Sequence, residues 1–221
     1  WSKPWFLSVK EYGDTYYQKV PNGGGSLDDL NAVKLYIGLY NNTNATDADK
    51  SNYKKAIGLA QEGLVAHNTS NSIKSGTLAE KAGYTVLGGW YHKTAYNNQM
   101  WLDGAYMGSA LLAQIVNFNG TGTNVFGSTT KDWDMVTKQL NIVWNMCWNP
   151  TDKLMYHAFE ANAGTGTGEN ESKSHADTWA GLNGKTEPYT FHSAAYWGRA
   201  NAWYLMALVD VLEAMKNAGQ E

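Results

Sequence analysis

The stretch Tyr189–Leu212, YTFHSAAYWGRANAWYLMALVDVL, decides how the rest of the chain is read. It holds Arg199, the only arginine among 221 residues, set between Tyr196, Trp197 and Trp203. A guanidinium fork matches a carboxylate bidentately and stacks on aromatic rings, which the lysines used elsewhere cannot do. If Ser193 caps a helix running to about Lys216, then Tyr196, Arg199 and Trp203 fall at i, i+3 and i+7 on one face. The alternative is a structural cation tying a buried helix to a neighbouring acid, since buried ion pairs leave the same pattern.

Working outward, the preceding segments are helical stretches separated by polar, glycine-bearing loops. Residues after Pro4 to about Gln18 read as a first helix, and GGG at 23–25 breaks the chain. Ser26 with Asp29 three positions on resembles a capping box and opens a helix through Tyr40. Asp47 starts a third helix to about Ala66, with Tyr53, Ala56, Ile57, Ala60 and Leu64 as its apolar stripe. A fourth runs from about Gln99 to Asn117, apolar nearly all round except for Asp103. A fifth spans about Thr130–Trp148 and stops at Asn149-Pro150. Leu154–Phe159 reads as extended, and 161–175 as a glycine-rich loop. Coexisting striped and all-round apolar helices predict an inner helical layer wrapped by an outer one, in a single domain over 1–221.

Composition narrows the partners. Ten Trp and fourteen Tyr against five Phe suit a wet cleft lined by rings with polar handles, or a Trp-rich core. A net charge of −3 without a basic cluster argues against nucleic acid or an anionic membrane surface. No apolar run reaches the length of a membrane span. One cysteine, Cys147, excludes an internal disulfide and reads as a buried, inert thiol. The five histidines lack zinc-helix spacing, so neither a metal nor a cofactor is expected. Sequons at Asn41, Asn44, Asn68, Asn119 and Asn170 point to a secreted, glycosylated protein.

Three acids lie in apolar or aromatic surroundings: Asp103 in WLDGAYM, Glu160 after YHAF, and Asp210 in MALVDVLE. Buried carboxyls are costly unless paired, and burial moves them toward the range a general acid needs. Asp103, with Trp101 and Tyr106 beside it, is a candidate for a ring-walled cavity. Its other readings are a salt bridge to Arg199 or a helix cap. Asp210 reads as structural. His92 and His192 adjoin the aromatic segments and are candidates to hydrogen-bond a ligand, against a purely structural role.

Three of these segments, GGWYHKTAYNNQMWLDGAYM (88–107), LMYHAFE (154–160) and YWGRANAWYLMALVDVLE (196–213), resemble motifs of the unsaturated rhamnogalacturonyl hydrolases. These are relatives of the unsaturated glucuronyl hydrolases, and SLDDLNAVKLYIGLY (26–40) resembles the segment before their motifs. The resemblance implies an all-α (α/α)6 barrel whose inner helices frame a sugar pocket. It also implies removal of a terminal 4,5-unsaturated uronic acid from lyase-generated oligosaccharides of the pectin type. In that chemistry an acid protonates the enol-ether double bond, water adds at C5, and the hydrated sugar falls open, outside the usual two-carboxylate scheme. By motif, Asp103 matches a pocket aspartate and Glu160 stands where HAWD or HAYD places the acid and base. Arg199 and Trp203 match the substrate-contacting pair of W-x-R-x-x-x-W, and His192 lies near a substrate-binding histidine.

The chain departs from that pattern in three ways. Glu160 is one methylene longer than aspartate, leaving Asp177 in HADTWAG as the alternative acid. The 161–175 stretch resembles an insertion, and about six helices are countable where the barrel has twelve, so the chain corresponds to part of the family domain. A partial barrel exposes apolar faces unless another segment or copy covers them. Two rival functions remain: another (α/α)-barrel glycosidase, such as a mannan-degrading enzyme using Asp28 and Asp29, and a non-catalytic carbohydrate-binding pseudo-enzyme. The Asp28–Asp29 pair also reads as a helix start, where acids favour the dipole.

Overall fold

The computed structural model describes residues 25–120, 122–162, 191–193 and 195–220. The expected first helix and Asp177 lie outside these residues. The described part is mostly helical, with two short antiparallel strand pairs.

Ser26 starts α1 (Leu27–Asn31) by accepting the Asp28 amide, not through Asp29. The expected single helix over 26–40 is two. Tight bonds from Val33 to Leu30 O and from Tyr36 to Val33 O break it before α2 (Lys34–Tyr40). The third helix, α3 (Asp47–Ser70), runs one turn beyond the expected Ala66. Its cap is reciprocal: the Asp49 amide donates to Thr46 Oγ1 at 3.2 Å and the Thr46 amide to Asp49 Oδ2 at 3.0 Å. The predicted stripe of Tyr53, Ala56, Ile57, Ala60 and Leu64 is fully buried, and α3 packs along α2.

After a one-turn α4 (Leu78–Lys81), the predicted fourth helix is in fact composite. Gln99–Trp101 is a strand, β1, because its backbone pairs with a segment 60 residues later. Then come one turn, α5 (Leu102–Gly104), a π-helical turn (Ala105–Ser109) and α6 (Ala110–Asn119). The all-round apolar pattern of α6 has a direct cause: α2, α3 and the two later helices Thr129–Cys147 and Gly198–Asn217 surround it, and Leu111, Leu112, Ala113 and Ile115 are wholly buried.

Here α7 is Thr129–Cys147, capped by Ser128 and burying Trp133, Val136, Leu140, Val143 and Cys147. The strands β2 (Trp148–Asn149) and β3 (Leu154–Met155) pair, while β4 (Ala158–Glu160) pairs with β1. The last helix, α8, begins at Gly198, not Ser193, and runs to Asn217. The Ser193 amide is taken by Ala158 O and Tyr196 bridges to Tyr156, so 191–193 extends the sheet edge and Ser193 does not start the helix. Ala200, Tyr204, Ala207, Val211 and Ala214 form the buried stripe of α8 against α6. On its other side Leu205, Met206, Val209 and Leu212 are 62, 42, 56 and 65% exposed. No described helix is long and apolar enough to cross a membrane.

Candidate active site

The β1–β4 ladder positions both sequence-nominated acids. Its register sets Gln99 opposite Glu160 and Trp101 opposite Ala158, so the Gln99, Trp101 and Glu160 side chains share one face. Gln99 Nε2 donates to Glu160 Oε2 at 3.2 Å, while Gln99 Oε1 accepts the Trp101 indole N–H at 3.3 Å. An indole nitrogen only donates, so this contact fixes which end of the amide faces the carboxyl. Gln99 and Glu160 are both fully buried. One residue past the ladder, Leu102 N–H donates to His157 O, and Asp103 Oδ2 lies 3.3 Å from His157 Nε2. Asp103 stands in the first turn of α5, where a helix favours negative charge. Glu160 thus sits at one end of the short ladder and Asp103 just past the other.

Two positive-φ residues hold its edges. Asn98 (φ 61°) accepts the Ala161 amide and Phe191 (φ 61°) accepts the Glu160 amide through their carbonyls. Asparagine tolerates that conformation; for phenylalanine it is strained, and such strain clusters at functional sites.

Aromatic rings surround Asp103 and His157. His157 meets Trp101 edge-on at 5.1 Å and Trp197 edge-on at 4.7 Å. Trp101 also stacks on His92 at 4.7 Å and on Tyr96 at 4.9 Å, which engages much of its ring. The exposed Arg199 guanidinium lies 3.8 Å over the Trp197 ring, so it reaches the Asp103–His157 pair through one indole. Asp103 is therefore paired with His157 and not with Arg199. Trp203, one turn beyond Arg199, sits 4.9 Å from Tyr106.

On the far edge of the ladder, His192 bridges Phe159 and stacks on Tyr156 at 3.6 Å. Its Nδ1 lies 2.8 Å from Ser193 O and must donate there, leaving Nε2 as an acceptor in the neutral ring. Burial holds its pKa below the usual histidine value. Tyr196 is not on the Arg199 face: it stacks on Tyr156, donates to Asp152 and accepts from Asn149. The bond to Asp152 is the main cause of its raised phenol pKa.

Two members of this arrangement carry no role in the sequence reading. His157 stands three positions before Glu160 in LMYHAFE, and Gln99 four before Asp103; a strand reading of 99–101 would have found both. Asp28, read from sequence with Asp29 as a helix start or a rival carboxylate pair, does sit in the first turn of α1, but its carboxylate also reaches His92 Nε2 at 3.3 Å. Hydrogen bonding to His92 is the leading cause that lowers its pKa, against partial burial. The resulting set is an Asp28–His92 pair, an Asp103–His157 pair and Glu160, linked by Trp101 and Gln99. Such a set can pass a proton, orient water and meet a planar anion at Arg199. Among the described residues no cluster of three or more His, Cys, Asp or Glu is placed to hold a metal.

Layered helices carrying buried acids beside stacked rings make an all-α fold with a ring-walled polar site. The chain belongs to Glycosyl Hydrolase Family 88, whose model matches residues 3–186. That span contains Asp103, His157 and Glu160 and ends before Arg199 and Trp203. A solved glycoside hydrolase of family 105 from C. acetobutylicum ATCC 824 is similar at 25% identity and a TM-score of 0.57. The match covers 88% of this chain and 44% of that one, so this chain spans less than half the length of that structure. The helical layers are those of the (α/α)6-barrel fold.

Proposed function

We propose that the protein removes the terminal 4,5-unsaturated uronic acid from lyase-generated oligosaccharides, of the rhamnogalacturonan type. The observation that carries this reading is that one short ladder sets buried Glu160 against Gln99 and leads directly into the Asp103–His157 pair, beside rings that lead to the sole arginine. In this reading Glu160 delivers its proton to C4 of the enol ether, and positive charge develops at C5. Asp103, backed by His157, orients the water that adds at C5 and takes up the proton that water loses. The resulting hemiketal opens and the remaining oligosaccharide departs. Arg199 receives the uronate carboxylate, with Trp203 as an adjacent wall and His192 Nε2 as a hydroxyl partner. The five sequons support an extracellular site of action.

One feature weighs against the mannan-degrading rival: Asp28 is turned to His92, which disfavours its use with Asp29 as a carboxylate pair on saturated mannan.

The test is addition of a lyase-generated unsaturated disaccharide while following the enol-ether absorbance. Loss of the band supports the proposal. Binding without loss overturns it in favour of the non-catalytic reading, and sugar release from saturated mannan overturns it in favour of the other hydrolase.

A further inference from the structure

Lys34 is the first residue of α2, far in sequence from the Arg199 segment, and its side chain is partly buried. Its Nζ donates to the Tyr106 carbonyl at 2.7 Å and lies 3.2 Å from the centroid of the Tyr106 ring. The same ring meets Trp203 at 4.9 Å. Tyr106 belongs to the π-helical turn that follows Asp103, so one ammonium group grips both the backbone of that turn and the ring it presents. A partly buried cation at a helix start is costly, because desolvation and the helix dipole both oppose it. A methionine of similar length would fill the space without that cost.

We propose that Lys34 is a positioning residue of the sugar site, its ammonium group fixing the Tyr106 ring against which the Trp203 indole is set. This rests on the reading of Trp203 as a wall of the uronide site.

The charge on Lys34 is poised. Burial pulls its pKa down to about 7, against the Asp210 carboxylate, which favours the charged form. Asp210 on α8 is held by Gln114 at 3.1 Å, and burial raises its own pKa. The Tyr106 phenol, facing Lys34 from the π-helical turn, has its pKa raised by burial first and Asp210 second, so it stays neutral while Lys34 titrates. From α6 no titratable side chain faces this group. Along α2, α3 presents Tyr53 to Tyr36 and Lys50 to Tyr40, while Asp28 of α1 is turned to His92. Below the midpoint Lys34 makes a cation–π contact; above it the neutral amine keeps only the carbonyl bond.

The test uses protein labelled with 5-fluorotryptophan, with the Trp203 fluorine resonance assigned by its loss in Trp203→Phe. The proposal expects that resonance to titrate with a midpoint near 7 in the unsubstituted protein. It expects the titration to vanish in Lys34→Met and Lys34→Gln, and to move to lower pH in Asp210→Asn. It also expects KM for the unsaturated disaccharide to rise about two- to fivefold in Lys34→Met with kcat little changed. A Trp203 resonance that is flat with pH in the unsubstituted protein, or that titrates unaltered in both Lys34 variants, overturns the proposal. The resonance needs no turnover, so the two readings separate. An inactive protein with a Lys34-dependent titration supports the coupling and sinks the hydrolase reading. An active protein with a flat resonance does the reverse.

Discussion

At the scale of single residues, the chemistry turns on which carboxyl carries the proton and which cation receives the substrate. Glu160 is fixed through Gln99 and through the Phe191 carbonyl, so Glu160→Gln keeps the shape and removes the acid. We expect kcat to fall about a hundredfold to ten-thousandfold while binding persists. If Asp177→Asn produces that loss and Glu160→Gln does not, the acid is Asp177. Arg199→Lys replaces a stacked fork by a point charge over Trp197. KM for the uronide should rise about three- to tenfold, and an unchanged KM removes the carboxylate-binding role. His67 gives a pH prediction. Its Nε2 meets Tyr91 O at 2.8 Å, and burial pulls its pKa down to about 4 from 6.5. The neutral form belongs to the folded state, so the stability it contributes is full above 6.5 and is lost as pH falls toward 4. That loss is about 3 kcal/mol. His67→Gln should shift the acid-unfolding midpoint to lower pH, as read by circular dichroism.

At the scale of elements, α3 and the π-helical turn make different demands. The Thr46–Asp49 cap is solvent-facing and local, so Thr46→Ala should lower unfolding stability by about 1 kcal/mol without touching activity. The π-helical turn lies between Asp103 and α6. Deleting Met107 would convert it toward ordinary helix and rotate α5 relative to α6. We expect helical content to persist and turnover to be lost. The same contrast explains what could be read from the residues. The α3 stripe repeats from Tyr53 to Leu64 within a helix of 24 residues, and its burial follows from period alone. The strand Gln99–Trp101 is three residues long and continuous with an apolar helix; only its partner 60 positions away makes it a strand. Ser193 has the chemistry of a helix cap, yet its amide is claimed by Ala158, a choice no local pattern encodes. The acids themselves were legible because charge stands out in apolar surroundings. Their partners His157 and Gln99 were hidden, because only the ladder brings them near.

At the scale of the whole molecule, α8 buries a stripe of mostly small residues against α6 and turns Leu205, Met206, Val209 and Leu212 outward. This helix thus meets protein on one side and, among the described residues, solvent on the other. A contiguous ridge of this kind should bind a hydrophobic fluorescent dye at native pH. The paired substitution Leu205→Glu and Leu212→Glu should abolish that signal with little change in Tm; persistent dye binding would locate the apolar surface elsewhere.

The ladder has a consequence for synthesis. Gln99 and Glu160 are 61 positions apart, and β4 is completed on its other edge by Phe191, His192 and Ser193. A ribosome must therefore release most of this polypeptide before the carboxyls can be set at their spacing. Translation products that stop short of the later strand should be inert, with no graded, half-working form along the way.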